Sequence, residues 1–139
     1  MQIYLYFIGK PKNAAANMIA AEYVKMAARY MPCQQREINP GRFDPWKQHP
    51  SARKVLLDPL GKQFDSQQLA KWFEQAKLDS RDLVFIIGGH DGLPIEWRPK
   101  ADLLLGLSVM TWPHELARAM LAEQIYRALA TLAGHPYPR

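Results

Sequence analysis

The sequence predicts an α/β domain: a mainly parallel sheet with helices on both faces. Three observations lead there. Apolar runs of strand length alternate down the chain with segments of helical periodicity, the order that builds parallel sheets. One run, "DLVFIIGG", holds five consecutive apolar residues with no polar alternation, which suits a strand covered on both faces. The length of 139 residues is enough for one domain, residues 1–139, with a core of its own.

The elements follow in order. "QIYLYFIG" is a buried strand rich in Ile, Tyr and Phe, closed by Gly9. Asn13 to Tyr30 carries Ile19, Tyr23, Met26 and Ala27 at helical spacing, and Pro32 stops it. "CQQREI" is a weaker strand. "NPGRFDPWKQHPS", with three prolines and a glycine, reads as a loop. "ARKVLLD" is a stronger strand that ends in "PLGK". In "DSQQLAKWFEQAKL", Asp65 or Ser66 caps a helix that lines up Leu69, Trp72, Phe73 and Ala76 on one face. "DLVFIIGG" is the buried central strand. "ADLLLGLSVM" is the last one, with room for a short helical approach. The longest helix runs from about Pro113 to Leu132, with Gly134 in the C′ position. Its apolar stripe is Leu116, Ala117, Met120, Leu121, Ile125, Ala128 and Leu132. Arg118, Glu123, Gln124, Arg127 and Thr131 fall off that stripe, with Glu123 and Arg127 as an i,i+4 pair that suits either a solvated salt bridge or a polar face against a partner subunit or an RNA.

Composition excludes more than it proposes. Apolar residues make up 48% and charged residues 22%, an ordinary balance for a globular protein in water. Lys and Arg outnumber Asp and Glu by 18 to 13, for a net charge of +5. That excess permits an anionic partner such as RNA without requiring one. A single cysteine, Cys33, excludes an internal disulfide and a cysteine metal cluster. No apolar stretch approaches the roughly 20 residues of a membrane span. The opening "MQIYLYFIGKPKN" lacks the basic start and cleavage pattern of a signal peptide. The expected location is cytoplasmic.

Three segments carry candidate chemistry. "IIGGHDG" sets Gly88, Gly89 and Gly92 directly after the buried strand. In open parallel sheets ligands sit beyond the carboxyl ends of the strands. The same glycines equally suit a tight turn that needs positive φ, and the spacing is neither a dinucleotide fingerprint nor a P-loop. "SVMTWPHE" opens the long helix, with Thr111 or Trp112 as cap and Pro113 in the first turn. His114, alone near a helix start, reads as a packing or capping residue. The four tryptophans, Trp46, Trp72, Trp97 and Trp112, read as packing residues. No metal-ligand spacing and no Ser-His-Asp signature are present. The closing "GHPYPR" is ambiguous, suiting a frayed end or an active-site wall.

"LLDPLGK", "IIGGHDG" and "LSVMTWPHELARAMLAEQIYRALATLAGHPYPR", in this order and spacing, resemble the RlmH family, as do the earlier "IGKPK" and "EYVKMAARY". Those proteins are SPOUT-class methyltransferases acting on pseudouridine in large-subunit ribosomal RNA. The resemblance implies a homodimer, a C-terminal trefoil knot that no periodicity reveals, and S-adenosylmethionine held in the knot. Carried over by position, it implies cofactor contacts at Leu57, Gly88, Leu107, Ser108, Val109, Met110, Thr111 and Trp112. It also implies that the tail residues His135, Tyr137 and Arg139 serve catalysis or hold RNA.

The chain departs from the family pattern in three places. The loop reads Gly-Gly-His-Asp-Gly where the family has Gly-Gly-Pro-Glu-Gly. The region between Glu37 and Lys54 is shorter, lacking most of a helix. The tail closes on Tyr137, Pro138 and Arg139 where Tyr-His-Arg is usual. A histidine there could take the pseudouridine imino proton. In this chain His135, His90 or hydroxide are the substitutes. The alternatives to an active enzyme of that class are a non-catalytic paralogue that binds S-adenosylmethionine or ribosomal RNA, and a methyltransferase for a different RNA.

Overall fold

The computed structural model describes residues 1–137. Ten elements follow in order: β1 (Ile3–Ile8), α1 (Ala14–Ala27), β2 (Cys33–Ile38), α2 (Pro45–Gln48), β3 (Arg53–Gln63), α3 (Ser66–Leu78), β4 (Leu83–Ile87), a 3₁₀ turn (Ile95–Lys100), β5 (Leu103–Gly106) and α4 (His114–Leu132). The strands form one sheet in the order β2-β1-β4-β3-β5, and all four neighbouring pairs are parallel.

Handedness decides which face each connection takes. From β1 to β2 and from β3 to β4 the chain steps one way along the sheet; from β2 to β3 and from β4 to β5 it steps the other way. Right-handed crossovers therefore send α1 and α3 to one face and α2 and the 3₁₀ turn to the other. The cores agree. Ile3, Leu5, Val55, Leu83 and Phe85 meet Val24 of α1, Phe73 of α3 and Leu121 and Ile125 of α4 on the first face. Tyr6, Ile38, Leu56, Val84 and Ile86 meet Trp97 on the second, with Phe43 and Trp46 packed against them. Helices do cover both faces, but all three long ones share one. The shortened stretch before β3 leaves the other face to a single helical turn and an aromatic cluster in which Trp46 meets Trp97 edge-on at 5.6 Å.

The single turn α2 lies inside the stretch read from sequence as loop. Asp44 caps it by accepting from the Trp46 amide at 2.9 Å, and Pro45 opens it. Strand β3 also runs further than expected, through "PLGK", because it pairs with β5 twice around a register shift between Leu57 and Lys62. Helix α3 forms as read. Asp65 accepts from the Gln68 amide at 2.7 Å while the Gln68 side chain accepts from the Asp65 amide at 2.8 Å, a complete capping box. Helix α1 is shorter than read, ending at Ala27, and buries Ala16, Ala20, Val24 and Ala27 rather than Ile19.

Helix α4 differs most from its sequence reading. It packs against both α1 and α3, so it is buried around most of its girth. Arg118, expected off the core stripe, is 3% exposed. Its guanidinium lies 3.8 Å from the centre of the Phe7 ring, donates to Gln35 Oε1 at 2.8 Å, and reaches Asn17 Oδ1. Leu116 and Met120, expected in the core, are 41% and 36% exposed. Glu123 and Arg127 do pair, but the carboxylate is largely buried rather than in solvent. Burial pushes the Cys33 thiol up to about 12, so it stays protonated at neutral pH and is a poor nucleophile.

Candidate functional site

Three loops converge at one edge of the sheet: one within β3, and one after each of β4 and β5. The first follows β4. Gly92 takes φ +75° and bridges back to Gly89, donating to the Gly89 carbonyl at 3.0 Å. A Cβ on Gly88 would sit 2.6 Å from the carbonyl carbon of Gly92, and one on Gly89 would sit 2.6 Å from the Ile8 carbonyl oxygen. The positive-φ requirement thus falls on Gly92, while Gly88 and Gly89 are glycine because protein backbone fills the space a side chain would need.

The second loop is the register shift inside β3. Asp58 turns it by accepting from the Leu60 amide at 2.8 Å. Gly61 lies flat against β5, where a Cβ would come within 2.7 Å of the Leu104 carbonyl. The third is the stretch from Leu107 to Pro113, which has neither helical nor strand pairing, leaving much of its backbone for a ligand to bond. The Met110 amide donates to Ser108 Oγ at 3.0 Å. Neither Thr111 nor Trp112 caps α4. Pro113 holds that position with no side-chain hydrogen bond, since proline has nothing to accept one with. The start of α4 is anchored by Glu115, which accepts from the amides of Lys12 at 2.9 Å and Asn13 at 2.7 Å and from the Asn17 side chain at 2.8 Å. The Asn13 amide does most to hold the Glu115 carboxyl below the usual range, against the opposing pull of burial; the other donors add to it.

Between these loops lies a cavity of about 360 Å³. Leu57, Asp58 and Pro59 wall it from β3, and Ile87 to Gly89 with Gly92 and Leu93 from β4; Arg98 reaches in from the 3₁₀ turn. Leu107, Ser108, Met110, Thr111 and Trp112 close it from β5, with His114 and Ala117 of α4. Seven of the eight positions named from sequence as cofactor contacts therefore line one space. Val109 is the exception: it is 81% exposed and outside the lining. Sequence reading missed Asp58, Leu93 and Arg98 and gave His114 a packing role. No local pattern marks the first three, and only the sheet order brings them together. A second cavity, of about 340 Å³, shares Leu107 and Trp112 and is completed by residues of α3 and α4 that include Met120, Glu123 and Gln124.

The tail residues lie elsewhere in the same chain. The Tyr137 hydroxyl donates to Glu123 Oε2 at 2.9 Å, and its ring meets Tyr126 edge-on at 4.7 Å and Arg127 at 5.1 Å. The Tyr137 amide donates to His135 Nδ1 at 3.1 Å, and the His135 ring faces Tyr30. Neither residue lines the cavity between the three loops. Burial and the nearby Tyr23 and Glu123 hold the Tyr137 phenol well above its ordinary pKa, so it is a donor rather than a base. Arg139, together with Pro138, lies outside the described residues. Among the described residues no three His, Cys, Asp or Glu side chains are placed to hold a metal ion, and no helix is long and apolar enough to cross a membrane.

Comparison with known proteins fits this geometry. Residues 1–138 match the family model described as "Predicted SPOUT methyltransferase". A protein of Solibacter usitatus, named ribosomal RNA large subunit methyltransferase H, is 60% identical over 139 residues, all of both chains. A protein of the same name from Gloeobacter violaceus is 36% identical across 99% of this chain and 98% of its own. Among solved structures, a probable methyltransferase from Bordetella pertussis Tohama I superposes with a TM-score of 0.66 at 12% identity, covering 92% of this chain and 96% of that one. The SpoU methyltransferase AviRb of Streptomyces viridochromogenes, solved in complex with the cofactor AdoMet, gives 0.52 at 12% identity over 96% of this chain and 59% of its own. At such identities these two likenesses speak for the fold alone. The family model, the full-length relatives and the cavity at the carboxyl end of the sheet together place this chain in the SPOUT methyltransferase family.

Proposed function

We propose that the chain transfers a methyl group from S-adenosylmethionine to a pseudouridine of large-subunit ribosomal RNA. The observation that carries the reading is the relative of that name, 60% identical from end to end. The cavity fits the donor by size and lining. Its volume of about 360 Å³ falls within the range of small-molecule sites. Leu57, Leu93, Leu107, Met110 and Trp112 offer an apolar bed for a base, and the unpaired 107–113 segment offers backbone donors and acceptors for adenine and ribose. The bound donor would supply an electrophilic methyl on a sulfonium, in a displacement governed by positioning. Leu57, Gly88 and the Leu107–Trp112 segment hold and orient it in this reading, with Val109 contributing backbone only.

The target's imino proton must leave as the methyl arrives. Tyr137, kept protonated, positions rather than accepts. His114 lines the cavity with its side chain half exposed, within reach of solvent. His135 and Tyr137 lie along α4 of their own chain, so their part in the reaction is read as service to the cavity of a partner subunit. The homodimer this needs is supported by Val109, Met110, Trp112, Leu116 and Met120, all exposed apolar side chains on the 107–113 segment and the start of α4. The knot belongs to this reading only as what the family resemblance implies. Action on ribosomes would place the protein in the cytoplasm.

The test is methyl transfer from labelled S-adenosylmethionine to ribosomes of a strain lacking its own RlmH enzyme. Label incorporated at a pseudouridine of the large-subunit RNA is the expected result. Donor binding without transfer to any RNA would establish a non-catalytic binder, and transfer to another RNA a retargeted enzyme.

A further inference from the structure

We propose that Arg98 recognises the carboxylate at the amino-acid end of the methyl donor, with Asp58 holding it in place and facing the donor's ammonium. The inference rests on the S-adenosylmethionine reading of the cavity and adds to it the residues that select a zwitterionic ligand.

Most of the cavity wall is apolar or backbone, and among the described residues its only acidic or basic side chains are Asp58, Arg98 and His114. Asp58 and Arg98 come from different connections, the loop within β3 and the 3₁₀ turn before β5, yet Arg98 Nε stands 2.8 Å from Asp58 Oδ2. The aspartate is the fixed member. Its side chain is 15% exposed, and Oδ1 is taken by the Leu60 amide. Arg98 is the open member, 42% exposed, with no other carboxylate partner among the described residues. A guanidinium carries five N–H donors in a planar fork, and one carboxylate can occupy at most two of them. The rest are available to a second carboxylate, in the bidentate geometry that arginine supports and lysine does not.

Charge narrows the ligand further. Asp58 and Arg98 together are neutral, one negative and one positive group on the wall of a small cavity. A purely anionic ligand such as an RNA phosphate gains from Arg98 and is repelled by Asp58 beside it. An α-amino acid end carries carboxylate and ammonium together and matches both. The adenosine moiety has no use for either charge and is served by the apolar bed and the 107–113 backbone.

The test is titration calorimetry with two probes, S-adenosylmethionine and decarboxylated S-adenosylmethionine, which keeps the adenosine, the sulfonium and the amine. Arg98→Gln should weaken binding of the complete donor by about tenfold to a hundredfold, the size of a charge-assisted hydrogen bond. The decarboxylated probe should bind the variant no more weakly than wild type, since the substitution leaves Asp58 free for its amine. Arg98→Lys, which keeps the charge beside Asp58 but loses the fork, should fall between, again only for the complete donor. It gives the same comparison should the glutamine variant fail to fold. An equal loss for both probes would overturn the proposal by showing that Arg98 acts only on the shape of the loop. No loss for either would also overturn it and leave an RNA phosphate as the remaining partner. Wild type that binds neither probe would sink the cofactor reading itself, a failure visible before any substitution is made.

Discussion

Gly88 has no side chain because the backbone of Gly92 stands where one would go. Gly88→Val therefore does more than narrow the cavity. The β4 loop must move off itself, at about 1–3 kcal/mol for an overpacked site, and lowered stability in urea together with lost donor binding is the expected pair of results. Glu115 makes a second residue-scale prediction, through pH. Its folded carboxyl titrates below the ordinary value of 4.5, so its contribution to stability is complete above that value and is lost as pH falls through the lower folded one. The stability gap between wild type and Glu115→Gln should hold steady at neutral pH and close as the solution is acidified through the lowered folded value, followed by denaturant midpoints across pH. At this scale the cavity was half legible in the sequence. Glycine after a buried strand is a local signal at Gly88, though it suits a tight turn equally, and the contacts at 107–112 come from the family resemblance alone. Asp58 and Arg98 carry no such signal, because forty residues and a strand crossing separate them.

Helices α3 and α4 show what makes an element readable. Everything that specifies α3 is within its own sequence: the Asp65–Gln68 capping box, and a buried stripe of Leu69, Phe73 and Ala76. Asp65→Ala should cost about 1 kcal/mol, measured by equilibrium unfolding, with the sheet-facing contacts intact. Helix α4 has its faces set by partners distant in sequence. Packing against α1 as well as α3 buries Arg118, which survives there because Gln35, Asn17 and the Phe7 ring replace its water. A periodicity argument assigns charged residues to solvent and so exchanged Arg118 with Leu116. Leu121, at the centre of the first core and fully buried, carries the consequence: Leu121→Ala should cost about 2–5 kcal/mol in the same unfolding measurement. The one-turn α2 escaped for the opposite reason. Its Asp-Pro start is a true cap signal, but four residues are too few to show a period.

The whole molecule is asymmetric. Right-handed connections put α1 and α3 on one side of the sheet, where α4 packs against both, and the opposite side is closed by one helical turn, a 3₁₀ turn and aromatic rings. The thick side still leaves apolar surface unsatisfied. Leu116 and Met120 lie one turn apart on α4 and face outward, and Met110, Val109 and Trp112 extend the same apolar character along the segment that walls the cavity. We take these exposed apolar side chains beside the cavity as the surface of the proposed dimer. A second copy meeting it about a two-fold axis would bury the same residues on both sides. In this reading the pairing would bring His135 and Tyr137 of one chain toward the other chain's cavity. Light scattering at micromolar concentration should then return twice the chain mass of 15.9 kDa. Replacing Leu116 and Met120 together by glutamate should return a single chain mass with its secondary structure retained, because both side chains already face solvent in the isolated chain. A wild-type protein of single-chain mass would remove the dimer, and with it the proposed service of His135 and Tyr137 to a neighbouring cavity. His114 would then be the one histidine placed at the site to take the proton.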